Sequence, residues 1–257
     1  MALHLYTYFT DRSKAKYLFE TALFHNVEVT NLAKSQEWEG FHQKLLALKE
    51  TIEPFPDDDI VCFIDSYDLI VNADKDTIIR KFKEANCELL FGAETNLHPP
   101  VLKTLNYPNS TTIFRYLNSG TYIGYVRAIK QMLSWKSIEG DDQEYANRYF
   151  LEYNQTRNIK LDYETKFSLN MQGISWDVLE IINGYVNFPP LNTTPSFIHF
   201  NGMSYLDINK DMIRNGNELQ FNYYAVYDRT FSAVLGSKML TRSCDVICKL
   251  TGKGMTY

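Results

Sequence analysis

The stretch Ile60-Val61-Cys62-Phe63-Ile64-Asp65-Ser66-Tyr67-Asp68 constrains this chain more than any other. An apolar run follows the acidic turn Asp57-Asp58-Asp59 and passes straight into two carboxylates separated by Ser66 and Tyr67. A continuous apolar run bounded by turn residues reads as a strand covered on both faces, which is how strands of parallel sheets in α/β folds are placed. In such sheets ligands gather beyond the carboxyl ends of the strands. Asp65 and Asp68 would stand there, and their hard oxygens suit Mg²⁺ or Mn²⁺ holding a diphosphate. A solvated acidic turn is the plainer alternative for this spacing taken alone.

The neighbouring pattern supplies the rest of an α/β unit. Leu3 to Phe9 reads as a strand, Asp11 to His25 as a helix capped by Asp11, and Val27 to Leu32 as a second strand. A helix from Phe41 to Glu50 then leads to the Ile60 strand, giving a βαβαβ opening and a right-handed, largely parallel sheet. Beyond the carboxylates come a helix at Asp74 to Ala85, a strand at Glu88 to Ala93 ending in Glu94, and a proline-bearing loop from Asn96 to Pro108. Tyr116 to Tyr125 alternates around Gly120 and Gly124, a strand that something must approach closely. A helix from Val126 to Trp135 follows, and Gly140 turns into a helix opened by Asp141-Asp142-Gln143, where acidic residues also suit the helix dipole. Short strands and turns fill Ile159 to His199, and residues 217–257 read as a helical extension. With no repeat, linker or low-complexity tract, a single domain over residues 1–257 is expected.

Composition excludes several classes. A net charge of -5 gives no nucleic-acid footprint, and no apolar run approaches the length of a membrane span. The start of the chain reads as a strand without a charged leader, so no signal peptide is expected. Cys62, Cys87, Cys244 and Cys248 form neither CxxC nor a paired zinc spacing. Together these predict free thiols in a cytoplasmic or host-cytoplasmic setting, with the sequons at Asn109, Asn154 and Asn192 unused. The aromatic content of 14% is expected mainly in the core, Trp38 included.

Late in the chain, Phe197-Ile198-His199-Phe200-Asn201-Gly202 reads as a strand with a histidine at its end. Such a histidine is more often simply packed. Joined to Asp65 and Asp68, however, it completes two oxygens and one nitrogen, an acceptable Mn²⁺ set that leaves room for phosphate oxygens. That is the pattern of a sugar-nucleotide site.

The blocks Glu37-Trp38-Glu39-Gly40, Phe63-Ile64-Asp65-Ser66-Tyr67-Asp68, Ala93-Glu94, Tyr107-Pro108, Tyr116-Leu117-Asn118-Ser119-Gly120, Ile123-Gly124, Asp141-Asp142-Gln143, Leu161-Asp162 and His199-Phe200-Asn201-Gly202 occur in this order between Leu3 and Leu206. In that series the chain resembles the glycosyltransferase domain of the procollagen lysyl hydroxylases, including free-standing versions encoded by large DNA viruses. The resemblance implies a GT-A type, Rossmann-like α/β domain with a mostly parallel central sheet flanked by helices. It further implies a retaining transfer of glucose from UDP-glucose, with Mn²⁺, to galactosyl-hydroxylysine of a collagen-like polypeptide. By the same resemblance Asp65, Asp68 and His199 are the metal ligands, and Tyr67 lies on the uracil or ribose with Thr7 nearby. Lys44, Asn201 and Gly202 are implied diphosphate contacts, while Asp141, Asp142 and Asn118 face the sugar and acceptor. Of the adjacent pair, Asp142 is expected to point into the site with Asp141 orienting it. Such a transfer needs the growing charge on UDP to be held by a cation and preorganised donors.

Two departures stand out. The chain has Gly40-Phe41-His42-Gln43-Lys44 where the family has a glycine run before the lysine. It also has Leu97-His98-Pro99 where the family carries Cys-Trp-Pro, so an aromatic over the sugar is lost. The alternatives are transfer of galactose or another hexose directly to hydroxylysine or another glycan, or an inactive collagen-binding scaffold.

Overall fold

The computed structural model describes residues 1–202, apart from 36, 101, 103–105, 176, 177 and 183. The helical extension expected over 217–257 lies outside the described residues. The expected opening is present: β1 (Leu3–Thr7), α1 (Lys16–Phe24), β2 (Thr30–Asn31), α2 (His42–Ile52) and β3 (Ile60–Ile64). β1 pairs in parallel with both β2 and β3. Every residue of β3 is buried, which is why its sequence is apolar without alternation.

Two of these elements are shorter than the pattern predicts, for local reasons. Asp11 Oδ1 accepts from the Ser13 backbone N–H and hydroxyl, forming an Asx turn that delays α1 to Lys16. The Val27 N–H is drawn back to the Ala22 carbonyl at the end of α1, so β2 keeps only Thr30–Asn31.

After the acidic edge come β4 (Leu69–Val71), α3 (Lys75–Ala85), β5 (Leu89–Glu94), β6 (Tyr116–Tyr125), α4 (Val126–Leu133) and α5 (Asp142–Tyr153). The Asp74 carboxylate caps α3 by accepting from the Thr77 N–H. Then follow β7 (Ile159–Asp162), β8 (Ser168–Asn170), the separate hairpin β9 (Glu180–Ile182) and β10 (Tyr185–Asn187), and β11 (Phe197–His199). The main sheet runs β2-β1-β3-β6-β5-β8-β11-β4, with β7 on β5. It is mostly parallel, but β6 is antiparallel to both β3 and β5, and β4 is antiparallel to β11.

Helices cover both faces. Leu45 and Leu48 of α2, Ile129 and Met132 of α4, and Tyr149 and Phe150 of α5 pack on the face that carries Val61, Phe63 and Tyr122. Leu18 and Ala22 of α1 and Ile78 and Phe82 of α3 pack on the face that carries Cys62, Ile64 and Ile123. Successive strand residues point to opposite faces, so β3 and β6 tie the two cores together. Cys62 and Cys87 are buried free thiols.

Candidate active site

The chemistry-bearing residues converge where several strands end. Asp65 follows β3, Asp68 precedes β4, Glu94 ends β5, Asn170 ends β8 and His199 ends β11. This is the edge where α/β sheets bind ligands. Backbone bonds lock the frame: the Asp65 N–H donates to the Gly120 carbonyl at 2.7 Å, and the Phe200 N–H donates to the Asp68 carbonyl at 2.7 Å.

The first constellation is acidic and incomplete. One ligand atom from each of Asp65, Asp68 and His199 can be chosen so that all lie within 4.8 Å of one another. His199 Nε2 is 3.3 Å from Asp68 Oδ2 and 3.8 Å from Asp65 Oδ2. It is buried and has no hydrogen-bond partner among the described residues. Burial works against a charge on His199, but Asp68 and Asp65 outweigh it and raise its pKa. Carboxylates that favour a proton at this nitrogen equally favour a divalent cation there, and the one-nitrogen, two-oxygen set suits Mn²⁺ or Mg²⁺. Gly120 keeps the space clear: a Cβ at that position would lie 2.3 Å from His199 Cε1 and 2.6 Å from Asp65 Oδ2.

Beside this cluster opens a cleft of about 500 Å³ lined by Tyr8, Thr10, Trp38, Phe41, Lys44 and Tyr67, among others. That is the size and mixed lining of a small-molecule site. Trp38, expected in the core, is instead 47% exposed, edge-on to Phe41 and Tyr8. The hydroxyl of Tyr67 accepts from the N–H groups of Thr10 and Asp11, which holds its ring in the cleft wall.

The second constellation is buried and fully wired. Lys44 on α2 donates to Asp65 Oδ1 at 2.8 Å and reaches Asp142 Oδ2 at 3.1 Å, so it bridges the two constellations. Burial disfavours its charge, yet the two carboxylates hold its pKa above the ordinary lysine value. Burial also works against the charge of Asp65, but Lys44 and His199 prevail and lower its pKa. Asp142 goes the other way: burial raises its pKa, Lys44 opposes this, and Asp65 adds to the rise.

Glu94 is the deepest carboxylate. Its Oε1 accepts from Asn118 Nδ2 and Gln143 Nε2, and its Oε2 accepts from Asn201 Nδ2. Burial nevertheless pushes its pKa up to about 7. Ser119 joins the two carboxylates, its hydroxyl within 3.3 Å of Asp142 Oδ2 and its N–H donating to Gln143 Oε1.

The expected site residues therefore separate. Asp65, Asp68, Tyr67 and Lys44 gather at the cleft with His199 behind the two carboxylates, while Asn118 and Asp142 belong to the buried network. Asp141 turns away from it, capping α5 by accepting from the Glu144 N–H. Thr7, expected beside the nucleotide, is fully buried inside β1, and Tyr8 and Thr10 occupy the cleft wall instead. The Asn201 side chain, expected on the diphosphate, is held by Glu94 and by the Gln172 N–H. Gly202 follows with φ +60, and a Cβ there would strike Gln172 Oε1 at 2.5 Å. Sequence reasoning missed Asn170, whose Oδ1 lies 2.8 Å from His199 Nδ1. Its strand, Ser168-Leu169-Asn170, has a polar residue at each end, so no pattern singled Asn170 out.

The chain thus carries an acidic cluster and an aromatic cleft at the carboxyl edge of a mixed α/β sheet, and comparison with known proteins gives its class, a glycosyltransferase domain. It belongs to the PLOD GT domain family, whose model matches residues 3–220. It is 35% identical over 208 residues to a procollagen-lysine,2-oxoglutarate 5-dioxygenase of Drosophila melanogaster, covering 74% of this chain and 29% of that protein. It is 33% identical to a multifunctional procollagen lysine hydroxylase and glycosyltransferase of Caenorhabditis elegans, covering 76% of this chain and 29% of that protein. With the human multifunctional procollagen lysine hydroxylase and glycosyltransferase LH3 the identity is 31%, over 74% of this chain and 28% of that one. The chain thus spans less than a third of the length of these relatives. A glycosyltransferase involved in glycosylation of the major capsid of PBCV-1 superposes with a TM-score of 0.46 at 12% identity, over 79% of this chain and 94% of that one.

Proposed function

We propose that this domain transfers a hexose from a UDP-sugar, held with Mn²⁺ at Asp65, Asp68 and His199, to a hydroxylysine-linked acceptor on a collagen-like polypeptide. Glucose to galactosyl-hydroxylysine, with retention, is the leading form of this reading. The observation that carries it is the buried Nε2 of His199, without a hydrogen-bond partner among the described residues and facing two carboxylates at the mouth of an aromatic cleft. When bound there, a divalent ion would neutralise the diphosphate and make UDP a better leaving group.

The chain's own residues divide the remaining work. Tyr67 and Trp38 offer ring faces to the uridine. Lys44 lines the cleft and brings a positive charge toward the diphosphate, while Gly202 supplies a backbone turn that no side chain could share. Asp142 faces the sugar from the buried side, where its charge would stabilise positive character developing at the anomeric carbon. In a retaining transfer the acceptor attacks on the leaving-group side, so no protein nucleophile is required. Glu94, its oxygens served by Asn118, Gln143 and Asn201, fixes Asn118 on the side proposed for the sugar and acceptor.

Other hexoses remain in play through one observation. Leu97 packs against the core and His98 offers its backbone carbonyl to Gln143, where the family resemblance calls for a tryptophan over the sugar. The test is a screen of UDP-sugars against a hydroxylysine peptide and a galactosyl-hydroxylysine peptide, read by mass. Glucose addition to the second peptide alone supports the leading form; addition of another hexose, or to the first peptide, selects the alternative. UDP binding without turnover on either peptide would leave a collagen-binding scaffold.

A further inference from the structure

We propose that Asn170 is a positioning residue that fixes the tautomer and orientation of His199, and so governs whether the cluster with Asp65 and Asp68 retains a divalent cation. The inference rests on the reading of that cluster as a metal site. β8 and β11 run parallel with Asn170 and His199 directly in register, so the sheet itself sets the two side chains together. Asn170 is fully buried. Its Nδ2 donates to the Ala93 carbonyl at 2.9 Å, and a carbonyl can only accept, which fixes the amide's orientation. The atom 2.8 Å from His199 Nδ1 is therefore the amide oxygen.

An amide oxygen cannot donate, so Nδ1 carries the hydrogen and the neutral ring presents its lone pair at Nε2. That is the nitrogen which faces Asp65 and Asp68. Metal-binding histidines generally have their other ring N–H held in this way. Two glycines make the pair possible. A Cβ at Gly92 would sit 3.0 Å from Asn170 Nδ2, and one at Gly120 would sit 2.3 Å from His199 Cε1.

The rival account is that Asn170 only stitches β8 to β5 through Ala93. Two substitutions separate these roles. Asn170→Leu keeps the branching at Cγ and removes the acceptor for Nδ1–H. Asn170→Asp keeps an acceptor for Nδ1–H but loses the bond to Ala93. Mn²⁺ uptake in the presence of UDP is measured by the loss of the free-ion electron paramagnetic resonance signal, with the melting temperature followed alongside. Asn170→Leu should weaken Mn²⁺ by about 10- to 100-fold, while Asn170→Asp stays close to wild type although its bond to Ala93 is gone. Equal Mn²⁺ affinity in Asn170→Leu and wild type overturns the proposal, and so does an Asn170→Asp protein as weak as Asn170→Leu. If Asn170→Leu does not fold, Asn170→Ala removes the same acceptor and carries the same expectation.

A wild-type protein that takes up no Mn²⁺ with UDP sinks the metal-site reading instead. The tautomer is then still decided by nitrogen-15 NMR of the metal-free protein, at a pH that keeps the ring neutral. Hydrogen on Nδ1 in wild type, lost in Asn170→Leu, supports the role of Asn170; hydrogen on Nε2 in wild type rejects it.

Discussion

The two sides of the site are built on opposite principles. On the cleft side Asp65 and Asp68 keep about a quarter of their side-chain surface exposed, at 24% and 25%, and His199 Nε2 lacks a hydrogen bond among the described residues. On the buried side Glu94 and Asp142 are enclosed, and the amides of Asn118, Gln143 and Asn201, the Ser119 hydroxyl and Lys44 serve their oxygens. A cluster short of positive charge attracts a cation. A cluster already satisfied by fixed donors needs no reorganisation when charge develops beside it. Lys44 belongs to both, held by Asp65 on one side and Asp142 on the other.

The largest expected effect breaks the open side. Asp65→Ala and His199→Ala should each abolish Mn²⁺-dependent UDP binding in calorimetry, because a cation left with two ligands is weakly held. Asp68→Ala should do the same. Tight UDP binding by Asp68→Ala in the absence of metal would remove this cluster from the donor site. Substitutions in the buried network should leave UDP binding near the wild-type level, which is what sets the two sides apart.

Next in size is Asp142→Asn. The amide preserves shape and its contact with Ser119 but removes the charge proposed to act on the sugar. Turnover should fall by about 10²–10³-fold, the usual cost of losing one electrostatic stabiliser, with Mn²⁺ and UDP affinity little changed. Lys44 keeps Asp65 as a partner in this variant, so the fold should hold. Near-normal turnover would reduce the buried side to scaffolding.

How far the sequence foretold this contrast depends on the range of the interactions. β3 with its two carboxylates and the bounds of α3 and β6 were legible because each rests on neighbouring residues. The antiparallel insertion of β6 between β3 and β5 was not, since periodicity reports burial and is silent on pairing direction. β4 is three residues long, too short to show a period. Trp38 was misjudged because an aromatic in a loop is equally compatible with core and cleft. The cluster of Asp65, Asp68 and His199 could be assembled from motifs lying in sequence order. The cage around Glu94 could not, because its donors come from Asn118, Gln143 and Asn201, which lie 24, 49 and 107 positions away.

Glu94 sharpens the comparison through pH. Its pKa in the folded protein, about 7, lies above the ordinary 4.5, so between these values the folded state binds more protons than the unfolded one. Its contribution to stability is therefore complete below about 4.5 and is lost as pH rises through about 7. If the charged form is the one that holds Asn118 in its working position, turnover runs in the opposite sense and falls about tenfold for each pH unit below the pKa. His199 and Asp162 also have raised values, so the comparison is wild type minus Glu94→Gln. The wild-type melting temperature should fall relative to the variant between pH 5 and pH 8, the window set by a shift from 4.5 to about 7, while wild-type turnover rises. Parallel changes in the two quantities would separate Glu94 from the chemistry.

The smallest effect tests the finest division, between adjacent carboxylates. Asp141 and Asp142 are neighbours in sequence, but α5 begins between them. The Asp141 side chain accepts from the Glu144 N–H at 2.8 Å and caps the helix, whereas Asp142 turns inward to Lys44 and Ser119. Asp141→Ala leaves one helix N–H unsatisfied and should cost about 1 kcal/mol of stability. Asp141→Ser replaces the cap and should recover most of that loss. Turnover in both should stay near wild type, because the orientation of Asp142 is set by Lys44 and Ser119 and not by its neighbour. A loss of turnover in Asp141→Ala that serine fails to rescue would mean the two carboxylates act as a pair, and the cleft and buried sides would then divide elsewhere.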